Sequence, residues 1–280
     1  MQYLFLAIII TFNIFSIYGS VDDLEVKFPS EKKSLVELSV GKTHFEILGP
    51  EDGEPVVLIH GVSGPMQVWD KTISTLVDSG YRVIRYDLYG RGFSERVNQV
   101  YNLELYYTQL KELLDFLELS RNVTLIGSSM GAIIATEFAV RKPRLIKKLI
   151  LIGPAGFTVR APAIAKLRDV PILGDIAFNL FGEKAILEQN KKYFFEPSIA
   201  TDFLSFYKEQ LKVKGSKEAI LSTMRHTPVQ SYSYGYEDLG RLSLPVQVIW
   251  GRQDRTFPFK NNKSLRFCLL YTSPSPRDRG

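Results

Sequence analysis

The segment "VTLIGSSMGAIIATEFA", residues 123–139, places a serine where it could act as a nucleophile. An apolar run typical of a buried strand enters a Gly-x-Ser-x-Gly turn centred on Ser129, and an apolar-periodic helix follows. Gly127 and Gly131 would permit the strained turn that lifts the hydroxyl above a sheet. Because the Gly-x-Ser-x-Gly pattern alone arises by chance in about one chain in ten of this length, the strand and helix around it carry the prediction. The alternative is an ordinary turn in which Ser128 or Ser129 caps the helix.

A serine hydroxyl needs a base to take its proton, and the oxyanion that then forms needs hydrogen-bond donors. The sequence offers two backbone donors: the N–H of Met130, at the predicted helix start, and that of Val62, in the loop after "VVLIHG". The base is harder to place, because the chain holds only three histidines, His44, His60 and His226, and none lies in its last fifty residues. His60 directly follows a predicted buried strand, so we interpret it as a structural, hydrogen-bonded histidine.

Two carboxylates follow predicted strands. In "VIWGRQDRTFP", Asp254 comes after a late strand at the carboxyl end of the sheet, where ligands of open parallel sheets collect. A carboxylate there could orient a catalytic histidine, and the alternative is an aspartate that only forms a turn. Asp87, at the end of "YRVIRYDL", is interpreted as a turn or supporting carboxylate. In "YGRGFSE", Glu95 occupies the position of the third glycine of a dinucleotide-binding fingerprint, so no NAD site is predicted.

Apolar runs and helical patterns alternate along the middle of the chain. After a hairpin predicted from "SLVELSV" and "HFEILG", the runs "PVVLIHG", "YRVIRYDL", "VTLIGSS", "KKLILIGP" and "PVQVIWG" indicate strands, and helical patterns separate the first four. This alternation predicts an α/β fold with a mostly parallel sheet covered by helices on both faces. A long, helical and aromatic-rich stretch before the last run predicts a cap above the sheet. We therefore expect a first core part at 34–157, a helical cap at 158–240 and a second core part at 241–267.

The N-terminal residues predict export from the cytosol. Residues 1–20 are uncharged, largely apolar and end in small residues, as in a signal peptide, but they lack an early Lys or Arg and are almost long enough to span a bilayer. A cleaved signal peptide and a retained membrane anchor both stay open, and a linker at 21–33 follows. The formal charge of +5 is scattered without a basic stripe, so nucleic-acid binding is not predicted. No motif indicates a metal or a cofactor.

The last thirteen residues, "CLLYTSPSPRDRG" at 268–280, differ from the sequence before them. They show no periodicity, contain two Ser-Pro steps, and resemble the translation of a transposase adapter used in preparing sequencing libraries. The alternative is a natural disordered tail. If the tail is adapter sequence, the natural chain continues past Phe267 with other residues. The single cysteine, Cys268, lies at this junction and cannot form an intrachain disulfide.

Four motifs in this order and spacing, "LIHGVSG", "YDLYGRGFS", "LIGSSMG" and "IWGRQD", resemble those of the α/β-hydrolase family, in its capped esterase, lipase and carbon–carbon-bond hydrolase branch. The resemblance covers about residues 35–267. It implies that Ser129 is the nucleophile, that Asp254 is the triad acid, and that the N–H groups of Met130 and Val62 form the oxyanion hole. Serine at this position argues against haloalkane dehalogenases and epoxide hydrolases, which carry an aspartate there.

The chain departs from the family pattern at its end. The family has a further strand, a loop bearing the catalytic histidine and a closing helix where this chain has the adapter-like tail, and no histidine follows Asp254. His226 precedes the acid and lies in the predicted cap, so we do not expect it to substitute as the base. The chain as it stands is therefore expected to be inactive, with its "PVQVIWG" edge unpaired and prone to aggregation.

The resemblance implies a cofactor-free serine hydrolase that acts on a small apolar ester or related carbonyl compound, in an exported or membrane-anchored protein. Hydrolysis of a carbon–carbon bond, acyl transfer, and ligand binding without turnover are the alternatives. An apolar pocket in the cap would draw on the aromatic residues there, which also suit the cap's own core. Examples are Phe178, Phe181, Tyr193, Phe194, Phe203 and Phe206.

Overall fold

A computed structural model describes residues 19–27, 34–158, 168–191, 201–254 and 256–269. Most of the predicted signal segment, the linker residues 28–33, two stretches of the predicted cap and most of the adapter-like tail lie outside these ranges. The strands are β1 (Ser34–Glu37), β2 (Lys42–Leu48), β3 (Glu54–Ile59), β4 (Tyr81–Tyr86), β5 (Val123–Ser128), β6 (Ile146–Ile152) and β7 (Val246–Ile249). The helices are α1 (Val21–Lys27), α2 (Asp70–Asp78), α3 (Leu103–Phe116), α4 (Met130–Arg141), α5 (Leu173–Lys191), α6 (Thr201–Gln210), α7 (Ser216–His226), α8 (Ser233–Gly240) and α9 (Asn261–Leu269).

The strands form one sheet in the order β1-β2-β4-β3-β5-β6-β7. β1 and β2 make the predicted antiparallel hairpin, and β2 pairs with β4 in the antiparallel sense. All pairings from β4 to β7 are parallel. The predicted α/β class, the hairpin and the mostly parallel sheet are thus confirmed.

The sheet is buried on both faces because consecutive apolar residues run through its central strands. Val57 and Leu58 are adjacent in β3, both are fully buried, and they point to opposite faces. Val57 belongs to the large core cluster that includes Leu110 of α3. Leu58 belongs to a smaller cluster with Ile73 of α2. Helices on both sides therefore leave only the strand ends and loops for a functional site.

The carboxyl ends of the central strands lie level with each other. Ile59 of β3 is paired with Gly127 of β5, and Ser128 of β5 with Ile152 of β6. Ile152 is in turn paired with Ile249 of β7. This register brings the loops that follow β3, β5, β6 and β7 to one edge of the sheet, where the sequence places Val62, Ser129 and Asp254.

The described part of the predicted cap divides into two groups of helices. α5 packs against α6 and α7, and these three cover the carboxyl edge of the sheet. α8 instead packs against α4 and α9, and its Tyr236 and Leu239 belong to the main core cluster. The boundary predicted at residue 240 therefore differs from the packing, because the buried aromatic face of α8 belongs to the core.

Residues 19–27, at the start of the described chain, dock on the cap. Gly19 forms a bridge with Val213, and Leu24 of α1 is buried in a cluster that includes Phe206. The helix lies within the predicted linker at 21–33, of which residues 28–33 are outside the described ranges. Among the described helices, none has the length and apolarity to cross a bilayer.

The other end of the described chain is α9. This helix continues through Cys268 and Leu269, and the Cys268 side chain is buried. The neighbouring β7 has β6 as its one strand partner among the described residues, so its outer edge is unpaired there. Ile249 on this edge strand is 46% exposed.

Candidate active site

Ser129 lies in the sharp turn between β5 and α4 and has a strained backbone. Its φ is 56° and its ψ is −118°, a conformation that a residue with a Cβ rarely adopts. Its N–H donates to the Ile152 carbonyl at 3.0 Å, and its carbonyl accepts from the N–H groups of Ala132 at 3.1 Å and Ala155 at 3.2 Å. Hydrogen bonds to β6 and the loop beyond it therefore hold the turn in place, with the serine side chain half-buried.

The two glycines of the motif are required by close backbone contacts. A Cβ on Gly127 would lie 2.3 Å from the Gly131 carbonyl oxygen. A Cβ on Gly131 would lie 2.2 Å from the Ile59 carbonyl oxygen. α4 therefore packs directly on the ends of β3 and β5, which brings its first residue beside the serine.

Two backbone N–H groups next to Ser129 are available as donors. Met130 is the first residue of α4, where an N–H has no partner within the helix. Val62 lies in the loop after β3, and a Cβ on the preceding Gly61 would lie 3.5 Å from the Ser129 Oγ. Within the described chain, neither the Met130 nor the Val62 N–H donates a hydrogen bond. Both can therefore serve an oxyanion formed at Ser129.

His60 orients the loop that carries Val62. Its Nδ1–H donates to the Gly61 carbonyl at 2.8 Å, and its Nε2 accepts from the Leu88 N–H at 2.9 Å. Burial lowers the pKa of His60 to about 4, so the ring is neutral at pH 7 with its proton on Nδ1. Because a peptide is planar, the bond to the Gly61 carbonyl also sets the direction of the Val62 N–H. The prediction of a structural histidine is confirmed.

Asp254 lies in the loop after β7, beside the end of β6. Its Oδ1 accepts from the N–H groups of Thr256 and Phe257, both at 2.8 Å. A Cβ on Gly153 would lie 3.1 Å from its Oδ2, so the glycine after β6 makes room for the carboxylate. Ser129 is bonded to Ile152, the residue before that glycine. The two predicted residues thus flank β6. The Asp254 carboxylate is half-buried, and within the described chain no hydrogen bond reaches its Oδ2.

Asp87 has a structural setting. Its carboxylate is fully buried and accepts from the N–H groups of Met66 at 2.9 Å and Phe93 at 3.0 Å, and it pairs with the His44 Nδ1 at 2.6 Å. Burial acts to raise the pKa of Asp87, but its contacts, with His44 first and the Met66 N–H among the others, together outweigh burial and lower this pKa to about 2. Asp87 therefore fastens the loops after β3 and β4 to β2.

None of the histidines is placed as a base for Ser129. His44 is fully buried against Asp87, and both ring nitrogens of His60 are engaged. His226 is exposed at the end of α7, where its Nδ1–H donates to the Ser222 carbonyl at 2.8 Å. No hydrogen bond within the described chain joins any of the three to Ser129 or Asp254.

One of the cap aromatics reaches the candidate site. A Cβ on Gly64, in the loop after β3, would lie 3.3 Å from Cζ of Phe203 in α6. Phe206 is buried in the contact between α1, α6 and the loop at Phe93, whereas Phe181 is 69% exposed. Phe178 packs in the cap's own apolar cluster, and Tyr193 and Phe194 lie outside the described residues.

Polar contacts to the loop after β3 were missed by the predictions from sequence. Gln210 of α6 donates from Nε2 to the Ser63 carbonyl at 3.1 Å and accepts from the Gly92 N–H at 2.7 Å. Arg91 donates to the Val62 carbonyl. The sequence does contain a signal for the Arg91 contact: this arginine lies between two glycines shortly after a predicted buried strand, where an exposed charged residue is not expected.

The parallel sheet, the strained serine between strand and helix, and the two unused N–H groups define an α/β-hydrolase. A family comparison agrees, because residues 51–267 match the Hydrolase_4 family, described as "Serine aminopeptidase, S33". The chain belongs to this family, and the family resemblance drawn from the four motifs is confirmed.

Relatives span several reactions on this fold. The chain is 32% identical over 239 residues to the 2-hydroxy-6-oxononadienedioate/2-hydroxy-6-oxononatrienedioate hydrolase of Cupriavidus pinatubonensis, covering 80% of this chain and 79% of that protein. The enol-lactonase of Burkholderia xenovorans superposes with a TM-score of 0.70 at 19% identity, covering 85% and 89% of the two chains. The esterase EaEST of Exiguobacterium antarcticum has a TM-score of 0.69 at 20% identity, covering 86% and 88%. The structural likenesses establish the fold.

Proposed function

We propose that this protein is a serine hydrolase that cleaves a small, apolar carboxylic ester, or a related carbonyl compound, through an acyl-enzyme. The observation that carries the proposal is the strained Ser129, whose Oγ faces the loop at Gly61 beside the unused N–H groups of Val62 and Met130. Strain of this kind persists only where surrounding contacts enforce it, and it exposes the hydroxyl for attack.

The reaction follows from these positions. The Ser129 Oγ attacks the substrate carbonyl carbon and passes its proton to a histidine base, while the carbonyl oxygen becomes an oxyanion held by the Met130 and Val62 N–H groups. The protonated base then gives the proton to the leaving alcohol, and an acyl-serine remains. A water molecule then attacks the acyl-serine in the same way, which releases the carboxylic acid and restores the serine hydroxyl. Asp254 orients the base and stabilises its charged form.

We propose that the base is a fourth histidine, carried by natural sequence that the adapter-like tail replaces. Support comes from the engaged positions of His44 and His60, from the placement of His226 on α7, and from the composition of residues 268–280. Reading the transcript past the codon for Phe267 tests this directly. A histidine after one more predicted strand is expected, and a stop codon after Gly280 would contradict the proposal.

A turnover assay with added imidazole tests the serine hydrolase proposal on the chain itself. Free imidazole can occupy the place of a missing triad histidine, so it should raise the hydrolysis of activated short-chain and medium-chain esters above the imidazole background. Ser129→Ala should abolish this extra rate, whereas His226→Gln should leave it unchanged. A rate that survives in Ser129→Ala would remove Ser129 from the mechanism, and a chain that binds the ester without turnover would favour a binding protein.

A second candidate reaction is hydrolysis of a carbon–carbon bond. The 32% identical relative from Cupriavidus pinatubonensis carries the name of such a hydrolase, and its coverage includes most of this chain. A vinylogous diketone in the same assay separates the two reactions. Turnover of the diketone at a rate above that of every ester would replace the ester proposal with this one.

We also propose that residues 1–20 direct the protein out of the cytosol, either as a cleaved signal or as a retained anchor through which it associates with a membrane. Support comes from the uncharged, largely apolar composition of this segment. Intact-mass measurement on protein from the soluble and membrane fractions of a secreting host tests both forms. A full-length chain found only in the host cytosol would contradict the proposal.

A further inference from the structure

The largest fully buried side chain near the candidate site belongs to Arg91, in the loop after β4. Its guanidinium has five N–H donors, and all five are used. Nε and Nη2 both donate to the Val62 carbonyl, at 2.9 Å and 2.7 Å. The other three donate to the Tyr89 carbonyl at 2.9 Å, the Tyr106 hydroxyl at 2.7 Å and the Thr223 hydroxyl at 2.8 Å.

Every one of these partners is neutral. No carboxylate lies within ion-pair distance of Arg91 in the described part of the chain, although the rings of Tyr101 and Tyr106 face its charge. Burying a guanidinium without a carboxylate carries a large desolvation penalty. An apolar side chain would fill the same space without that penalty, so the hydrogen bonds of Arg91 point to a role beyond packing.

The bidentate contact fixes the residue that carries an oxyanion donor. Two charge-assisted bonds to one carbonyl hold the Val62–Ser63 peptide in a single orientation. The next carbonyl along the loop, that of Ser63, accepts from Gln210 of the cap. His60 fixes the peptide on the other side of Val62. Val62 is therefore held from both sides, and the contact to its own carbonyl comes from a charged side chain, that of Arg91.

Arg91 also ties the loop to the cap. Thr223, which accepts from Nη2, lies on α7, and its hydroxyl is also hydrogen-bonded to that of Tyr106 at 2.6 Å. We infer that Arg91 is a positioning residue that couples docking of cap helix α7 to the orientation of the Val62 N–H in the oxyanion hole. The inference rests on the proposed serine hydrolase function and adds a determinant of its catalytic step.

The coupling has a specific kinetic consequence. A loosened Val62 N–H weakens the contact that forms only when the oxyanion forms, so turnover falls while substrate binding changes little. Loss of one oxyanion donor lowers kcat by about 100- to 1,000-fold in serine proteases. A donor that is misplaced, but still present, should lower kcat by less than a missing donor does. We therefore expect Arg91→Met to lower kcat by about 10- to 100-fold and to change KM by no more than about threefold.

The test compares Arg91→Met with Arg85→Met on the same chain. Arg85 is also a buried arginine, but it pairs with Glu46 and Asp70, and among the described residues it contacts the loop after β3 only at its end, at the Met66 carbonyl, at 3.4 Å. Imidazole-dependent ester turnover and hydrogen–deuterium exchange of residues 60–64 are measured for both. Arg91→Met should speed exchange in that segment by about tenfold or more and show the kcat loss, and Arg91→Lys should recover part of it. Equal kcat and equal exchange in the two methionine variants would overturn the inference.

Thr223→Val provides the second variant if Arg91→Met does not fold. It removes the acceptor on α7 and leaves both bonds from Arg91 to Val62. We expect a kcat loss of about 3- to 10-fold and faster exchange at residues 60–64, and wild-type values for both would overturn the coupling. If the unmutated chain shows no Ser129-dependent turnover, the proposed function fails, and the exchange data still decide whether Arg91 holds the loop.

Discussion

At the scale of single residues, the candidate site depends on backbone groups more than on side chains. The unusual dihedral angles of Ser129 are imposed by its hydrogen bonds to Ile152 and Ala155 and by the contact of Gly131 with Ile59. The oxyanion donors are peptide N–H groups whose direction is set by neighbours. The strain at Ser129 and the orientation of the loop that carries Val62 therefore depend on different contacts, and separate substitutions can test each of them.

Replacing Ser129 by glycine should stabilise the fold while it removes the nucleophile. Glycine adopts a φ of +56° without a steric penalty, and relief of the strain outweighs the added freedom of the unfolded chain. Ser129→Gly should be more stable than Ser129→Ala by about 1 kcal/mol, because both lack the hydroxyl and only alanine keeps the strain. Urea unfolding of the two variants measures this. An alanine variant of equal or greater stability would show that the turn is unstrained.

The buried His60 should make stability depend on pH in a defined window. Its pKa is lowered to about 4 in the folded chain, so between pH 6.5 and 4 the unfolded chain binds a proton that the folded chain excludes. Stability should be complete above pH 6.5 and fall by up to about 3 kcal/mol as the pH drops to 4. The pKa of Asp87 is lowered, so its contribution is lost at lower pH, between its ordinary value and about 2.

Urea unfolding at pH 7 and pH 4.5 measures the effect of His60, with His60→Gln as the test variant and the exposed His226→Gln as its control. The His60 variant should lose much less stability on acidification than the wild type, and the His226 variant should follow the wild type. A His60→Gln protein with the wild-type pH dependence would assign the effect to another group.

At the scale of elements, similar sequence signals lead to different roles. Asp87 and Asp254 each follow a parallel strand at the same edge of the sheet. Asp87 is fully buried and fastens three elements, whereas Asp254 is half-buried and, among the described residues, accepts only from its own loop. Their sequence motifs predict different roles for the two carboxylates, and the contacts give the physical reason.

Alanine substitutions should separate the two carboxylates. Asp87→Ala leaves His44 and two N–H groups buried without their acceptor and should destabilise the fold by about 3–5 kcal/mol. Asp254→Ala should change stability by about 1 kcal/mol and lower Ser129-dependent turnover by about 100-fold or more. Urea unfolding and the imidazole-dependent assay provide the measurements. Comparable turnover in Asp254→Ala and the wild type would remove Asp254 from the triad.

Elements could be predicted from sequence where the pattern is local. The apolar runs of β3 to β7 and the turn at Ser129 carry their signals within a few residues. The placement of α8 could not be predicted, because its pattern is helical whichever layer it joins, and only packing of Tyr236 in the core decides. The role of Arg91 depends on Val62 and Thr223, which are distant in sequence. A local sequence pattern cannot predict contacts between residues so far apart in the chain.

At the scale of the whole molecule, the described part of the sheet ends in a strand with one unpaired edge. β7 pairs with β6 alone among the described residues, and its Ile249 is 46% exposed. An unpaired apolar edge strand invites association with other chains. We therefore expect folded molecules to associate through the unpaired edge of β7.

Ile249→Lys should therefore reduce self-association. The charge lies on the exposed side of β7 and opposes edge-to-edge pairing without filling the core. Val100→Lys, at a loop residue that is 52% exposed, is the matched control because it adds the same charge away from the sheet edge. Light scattering over a range of protein concentrations compares the two. Equal association in both variants would show that the molecules self-associate through a surface other than the β7 edge.

Covalent labelling tests the role of Ser129 most directly. The chain is incubated with a fluorophosphonate in the presence and absence of imidazole, and the peptide carrying the adduct is identified by mass spectrometry. We predict an imidazole-dependent adduct on Ser129, with none on that peptide in Ser129→Ala. An adduct of equal yield in Ser129→Ala, or one on a different residue of the wild type, would contradict the assignment of Ser129 as the nucleophile.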